Sequence, residues 1–242
     1  MTTKKPKKEV PAKVEMSLVL RVCRADFTSH GGFKWPSEVG SSVEASDWKQ
    51  NQNCGNGLHG WLFGHGDVGC VDHWAQPDSK WFVLEVESST IITLGGKVKF
   101  PRAVVRFIGG REEAAAFLLA NEPRAKAENC IGHVIQVGEG QVAATGSLGT
   151  ATAGDRGTAT AGYRGTATAG DRGTATAGDS GTATAGDSGT ATAGDRGEIR
   201  IRWYDTKNDR YRTEIAYVGE SGIKPNVKYR LDEQHKFVEV KE

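Results

Sequence analysis

The chain has 242 residues, 31 Lys and Arg against 30 Asp and Glu, and 37% hydrophobic residues. Near-balanced charge gives no case for a nucleic-acid partner, and no window approaches the roughly eighteen apolar residues of a spanning helix, so no membrane partner is expected either. Four cysteines, Cys23, Cys54, Cys70 and Cys130, are too few and too scattered for a disulfide framework in a chain of this size, and reduced thiols are expected.

The chain opens on MTTKKPKKEVPAKVEM, which is basic but lacks the apolar centre of a secretory signal. It reads as a disordered tail over 1–16, with a cytoplasmic location by default. Residues 17–130 read as an α+β head. LVLRVC (18–23) is a buried strand, and RADFTSHGGFKWPSEVG follows as a turn-rich stretch in which Gly31-Gly32 and Trp35-Pro36 block a long helix. The chemically densest part lies between residues 30 and 81, which hold Trp35, Trp48, Trp61, Trp74 and Trp81 with His30, His59, His65 and His73. KWFVLEVES, STIITLGGKVKF and PRAVVRFIG then predict three strands, and 111–129 predicts the helix of the head, with Pro123 near its end.

From Gly149 to Arg196 the unit G-T-A-T-A-G-x-x repeats six times without a break: GTATAGDR, GTATAGYR, GTATAGDR, GTATAGDS, GTATAGDS, GTATAGDR. T-A-T-A alternates at period two, a strand pattern, while Gly twice in each unit argues against helix. Carried downstream, the register puts Ile199 and Ile201 at the Ala positions; carried upstream, it puts Ile135 and Val137 there. Large apolar residues at both ends thus continue the Ala row, so Ala points inward and Thr outward. Eight residues cannot close a circuit around a core, which predicts two units per coil, about sixteen residues, across 131–202. In that coil Asp155, Asp171 and Asp187 share one column of turns, Tyr163, Asp179 and Asp195 share the other, and like charges in a column should repel modestly. Adding one unit should then misplace whatever caps the rod, while adding two restores the phase. A flexible linker fits poorly with the strict register, and a calcium-binding nonapeptide solenoid has the wrong period.

Residues 203–242 complete the chain as β-rich cap: EIRIRWYD and RYRTEIAYV form one hairpin around Thr206 to Asp209, and VKYRLDE with HKFVEVK a second, covering the last rung. The expected architecture is therefore an α+β N-terminal domain, a short β-solenoid of about sixteen residues per coil, and a C-terminal β-hairpin cap.

The repeat, with A-G-D-R-G-T-A-T and a single Tyr163, resembles the octapeptide repeat of bacterial ice-nucleation proteins. That resemblance implies ordering of water or binding of ice at Thr-x-Thr faces, here Thr150, Thr152, Thr158, Thr160, Thr166, Thr168, Thr174, Thr176, Thr182, Thr184, Thr190 and Thr192. The run TSHGGFKWP, then DW, then CGNGLHGW, resembles an N-terminal domain of uncharacterised bacterial and phage proteins that often precedes repeats. LRVCRAD, GLHGW and WFVLEVE also resemble the opening of ADP-ribosyltransferase folds, which implies a nucleotide-using transferase with Arg24 holding a dinucleotide, His59 at the pocket and Glu85 or Glu87 as the acid. Cys54, His59, Cys70 and His73, spaced C-x4-H-x10-C-x2-H, are candidate zinc ligands, though the order matches no familiar finger. Against both stands a structural role for CGNGLHGWLFG, with glycines for turns and Trp61 for packing. The leading expectation is a non-enzymatic protein without a cofactor: a globular head on a rigid, Thr-faced spacer that meets an unknown protein or surface ligand.

Overall fold

The computed structural model describes residues 14–71, 73–76 and 78–241. Most of the expected tail, residues 1–13, lies outside them. Glu15 and Met16 belong to the head: the Glu15 carbonyl accepts from the Ser88 N–H, and the first strand begins at Met16.

The head is a seven-stranded antiparallel sheet made of β1 (Met16–Cys23), β2 (Ser42–Glu44), β3 (Leu58–Leu62), β4 (Lys80–Glu87), β5 (Ile92–Thr93), β6 (Val98–Phe100) and β7 (Arg102–Gly109), in the order β2-β7-β4-β1-β3-β6-β5. β1 lies at its centre, and that is why LVLRVC runs apolar without alternation: both of its faces are covered. Leu18, Leu20 and Val22 pack with Trp61, Val83 and Leu118 on one side, while Val19 and Cys23 pack with Trp35, Phe82 and Phe100 on the other. The first side is covered by α1 (Arg111–Asn121), whose entry is fixed by the Glu113 carboxylate accepting from the Gly110 N–H at 3.0 Å. The helix is shorter than the expected span of 111–129. It stops at Asn121 because Glu122, the residue before Pro123, is driven to an extended conformation (φ −124°, ψ 99°). Buried Glu122 then turns back to accept from the Leu18 N–H at 3.0 Å and from Arg124, tying the helix end to β1.

Past the head the chain winds into a β-solenoid of about four coils. β8 (Val134–Gln136), β10 (Thr150–Ala153), β12 (Thr166–Ala169) and β14 (Thr182–Ala185) stack as one parallel sheet; β9 (Val142–Thr145), β11 (Thr158–Ala161), β13 (Thr174–Ala177) and β15 (Thr190–Ala193) stack as the other. Pairing Thr150↔Thr166 and Thr158↔Thr174 fixes the coil at sixteen residues. Ile135 stacks on Ala151, and Ile199 on Ala183, as the flanking register requires. Every Ala of the repeat strands is buried, and every Thr is half-buried or exposed.

β16 (Glu198–Asp205) extends the first sheet and folds back as a hairpin with β17 (Arg210–Tyr217). β18 (Tyr229–Leu231) crosses β15 antiparallel at Ala191↔Tyr229 and pairs with β19 (Phe237–Glu239). Each solenoid sheet thus ends in an antiparallel hairpin, and Val218, Ile223 and Tyr229 close the Ala core. Among the described residues no helix is long and apolar enough to cross a membrane.

Candidate functional site

The repeat strands carry two regular ranks of hydroxyls. Thr at the first and third positions of each T-A-T-A strand point outward, with neighbours about 6.6 Å apart along a strand and about 4.8 Å apart between rungs. On the first sheet the rank is Thr150 and Thr152, Thr166 and Thr168, Thr182 and Thr184; on the second it is Thr158 and Thr160, Thr174 and Thr176, Thr190 and Thr192. Each rank is three rungs long. It is interrupted at one end by Val134 and Gln136 or by Val142 and Ala144, and on the first sheet at the other end by Glu198 and Arg200, which occupy the Thr columns. β-Branched Thr suits this position twice over, since its stiff χ1 holds the hydroxyl in place while its methyl packs on the sheet. Within the ranks, Thr190 Oγ1 lies 3.2 Å from Thr174 Oγ1 on the rung before it.

The turns that hold the ranks in register divide the work between two kinds of residue. The left-handed residue of each turn is the eighth of the unit, Arg156, Arg164, Arg172, Ser180, Ser188 or Arg196, at φ 52–58°. The glycines are needed for space instead. A Cβ on Gly178 would sit 2.8 Å from the Gly162 carbonyl carbon and 2.8 Å from the Tyr163 nitrogen, both backbone atoms of the rung before it. The Asp columns form as expected, but repulsion is not their main feature. Each Asp Oδ1 accepts the N–H of the Asp one coil later at 2.9 Å, Asp155 from Asp171, Asp171 from Asp187, and Asp179 from Asp195, so the carboxylates splice successive rungs together.

The one Tyr in the array is explained by the head. Leu148 is buried in the cluster beneath α1, Tyr163 packs against the same cluster, and the Arg164 guanidinium lies 5.1 Å from the Trp74 ring centre. The Ile131 N–H bonds the Gly64 carbonyl at 3.0 Å across the same joint. Departures from the consensus at this turn column therefore mark where the rod seats on the head.

The head contains a cavity of about 880 Å³ lined by Arg21, Phe33, Trp35, Cys54, His59, Cys70, His73 and Lys97, among others. It brings together all four candidate zinc ligands, yet among the described residues no three His, Cys, Asp or Glu side chains converge closely enough to hold a metal. Arg24 lies outside this lining and donates to the Ser29 carbonyl at 3.0 Å. Glu85 is held by Arg106 at 2.8 Å and Glu87 lies 3.6 Å from Arg102, and neither lines the cavity. The arginine that does face it is Arg21, which sequence reasoning passed over. Its signal was present: a guanidinium in the middle of an otherwise apolar central strand. Burial pulls the Arg21 pKa down to about 10, still charged at neutral pH. His59 is pushed down to about 4, first by burial and then by Lys97, Arg21 and Lys99, so its ring is neutral at pH 7. The four thiols are free; burial lifts Cys23 and Cys130 to about 12, which makes them poor nucleophiles.

Residues 17–119 match the family described as a domain of unknown function (DUF7666). The repeat region is similar to ice nucleation proteins: 38% identity over 112 residues to that of Xanthomonas campestris pv. translucens, 36% over 111 to that of Pseudomonas syringae, and 36% over 126 to that of Pseudomonas fluorescens. These stretches cover 46%, 45% and 51% of this chain, but only 7%, 9% and 10% of the relatives. No solved structure matches the chain.

Proposed function

We propose that this is a non-enzymatic protein whose Thr-faced solenoid orders water and adsorbs to ice, with the head seating the rod. The observation that carries the reading is the pair of regular Thr-x-Thr ranks, spaced by the β-sheet itself and pointing outward on both faces. Hydroxyls on a stiff sheet lose little entropy when they fix a layer of water, so the surface is preorganised for a repeating lattice rather than for one small molecule. Likeness of the repeat to ice nucleation proteins supports the same reading.

Length sets what such a surface can do. Three rungs span about 10 Å. A patch of that size can grip a crystal that already exists, but it is a poor platform for starting one, so binding and shaping of ice is the expected activity of the single chain and nucleation is weak. The test is partition of the protein into a slowly growing ice hemisphere, with Thr168→Glu and Thr184→Glu placed together in one rank. Wild-type enrichment in ice, lost in the double variant while its circular dichroism is unchanged, is the expected result. Equal exclusion of both proteins from ice would leave the solenoid as a spacer.

A further inference from the structure

The head cavity holds a cation that no carboxylate among the described residues neutralises. β1 and β3 pair only through Val19↔Leu62 and Leu20↔Trp61, then part. Arg21 projects where the ladder opens, and its Nη1 donates to the His59 carbonyl at 3.0 Å, satisfying one backbone group that the lost pairing exposes. That accounts for one corner of the guanidinium. Its plane lies over Trp35, 5.0 Å from the ring centre, and Nε is buried without a hydrogen-bond partner. The residue is only 7% exposed, and among the described residues no carboxylate pairs with it. His59 Nε2 is likewise buried and unpartnered. Lys97 adds a further positive charge to the lining, against which Asp47 is the acidic side chain among the described residues. Lys99 is engaged elsewhere, donating to Asn51 Oδ1 at 2.8 Å and to the Asn53 carbonyl at 2.9 Å.

An uncompensated buried guanidinium is among the more costly features a fold can carry, and it is retained where a counter-charge arrives from outside. We propose that this cavity is an oxyanion site for a small molecule bearing a phosphate or carboxylate group, with Arg21 as the buried counter-charge, the unpartnered His59 Nε2 as a hydrogen-bond donor and Lys97 at the rim. A planar, forked donor beside an imidazole suits a trigonal or tetrahedral oxyanion better than a metal or an apolar ligand. The site is separate from the Thr ranks, and the proposal stands whether or not those bind ice.

The experiment is titration of the full chain with inorganic phosphate, AMP and citrate at ionic strength matched with sodium chloride. It is followed by calorimetry and by the Arg21 Nε–H and His59 ring resonances. Saturable binding of at least one of the three is expected, with a Kd below about 1 mM, both resonances moving together, and affinity falling about tenfold or more in Arg21→Met. Phosphate alone sufficing points to a free-ion site, tighter AMP to an organic phosphate, and tighter citrate to a carboxylate. Because Arg21→Met also removes the bond to the His59 carbonyl, Lys97→Ala is the second variant. It leaves the strands untouched and should weaken binding by about threefold. No saturable shift at Arg21 or His59 with any of the three anions, or binding indifferent to both substitutions, overturns the proposal.

Discussion

At the scale of single residues, the octapeptide separates two demands that glycine usually answers together. The φ-positive position is held by Arg or Ser, at a cost of about 1–2 kcal/mol for an L-residue, while the glycines stand where the next rung leaves no room for a Cβ. Ser180→Gly should therefore be close to neutral or mildly stabilising, whereas Gly178→Ala should lower stability by about 2 kcal/mol, because the atoms it meets are backbone and cannot yield. Chemical denaturation of the two variants separates them. A second residue-scale effect is pH dependence in the head. His59 is depressed from 6.5 to about 4, so between those values the unfolded chain binds a proton that the folded chain refuses, and stability falls as pH drops through that window. His65 and His133 are lowered in the same sense, chiefly by burial. At Glu122 burial opposes ionisation, but hydrogen bonds from Arg124 and the Leu18 N–H outweigh it and hold the carboxyl below its usual 4.5, so its contribution is full above that value and lost as pH falls below it. Thermal melts between pH 7 and pH 4 should show a decline that His59→Gln reduces by up to about 3 kcal/mol, leaving the shares of the other groups.

At the scale of elements, the solenoid is stabilised by stacking rather than by a wide core. Its interior is four columns of methyl groups, two from each facing sheet, with those of the first sheet continued at the ends by Ile135, Val137, Ile199 and Ile201. Such an interior is thin and already full. Ala159→Leu should overpack the rung and cost about 1–3 kcal/mol, while Thr160→Val on the opposite side of the same strand should change stability by less than about 0.5 kcal/mol. Urea midpoints of the pair test the inward–outward assignment directly. The Asp splices act at the same scale. Removing the Asp171 carboxylate leaves the Asp187 N–H without its partner, and Asp171→Ala should cost about 1 kcal/mol, with Asp171→Asn recovering most of it because an amide oxygen can accept the same bond.

At the scale of the whole molecule, the two turn columns are not equivalent, because one of them seats on the head through Leu148, Tyr163 and Arg164. This changes what lengthening the array does. The half-coils are alike, so a cap moved by one unit meets the same GTATAG surface on the other sheet and should fit there, an outcome opposite to the misfit expected from the sequence. Position matters instead. One unit inserted after Gly181 should melt within a degree or two of the same insertion doubled. One unit inserted before Tyr163 should lose about 2 kcal/mol, since it carries the Tyr to the far column and sets an Asp against the Trp74 face. Equal melting of the two single insertions would show that the joint contributes nothing.

Sequence by itself determined the solenoid almost completely, and the reason is that its contacts are strictly periodic. Every Ala151 meets an Ala167, so period, facing and coil length were all present in the letters, and Ile199 and Ile201 disclosed which row lay inside. The existence of α1 was legible too, but its end was placed at 129 rather than at Asn121, where Pro123 stops it. The role of the glycines was not, because crowding by the preceding rung is invisible until the rungs are stacked. Nor was the head cavity. Arg21 and Arg24 stand three residues apart, and although Arg21 sits inside an apolar strand, nothing in the letters shows that it is enclosed where β1 and β3 part while Arg24 ends in a loop. Glu85 and Glu87 met Arg106 and Arg102 rather than His59, for the same reason. Which side chains share a site in the head depends on pairings between strands distant in sequence, and only the tertiary structure decides those.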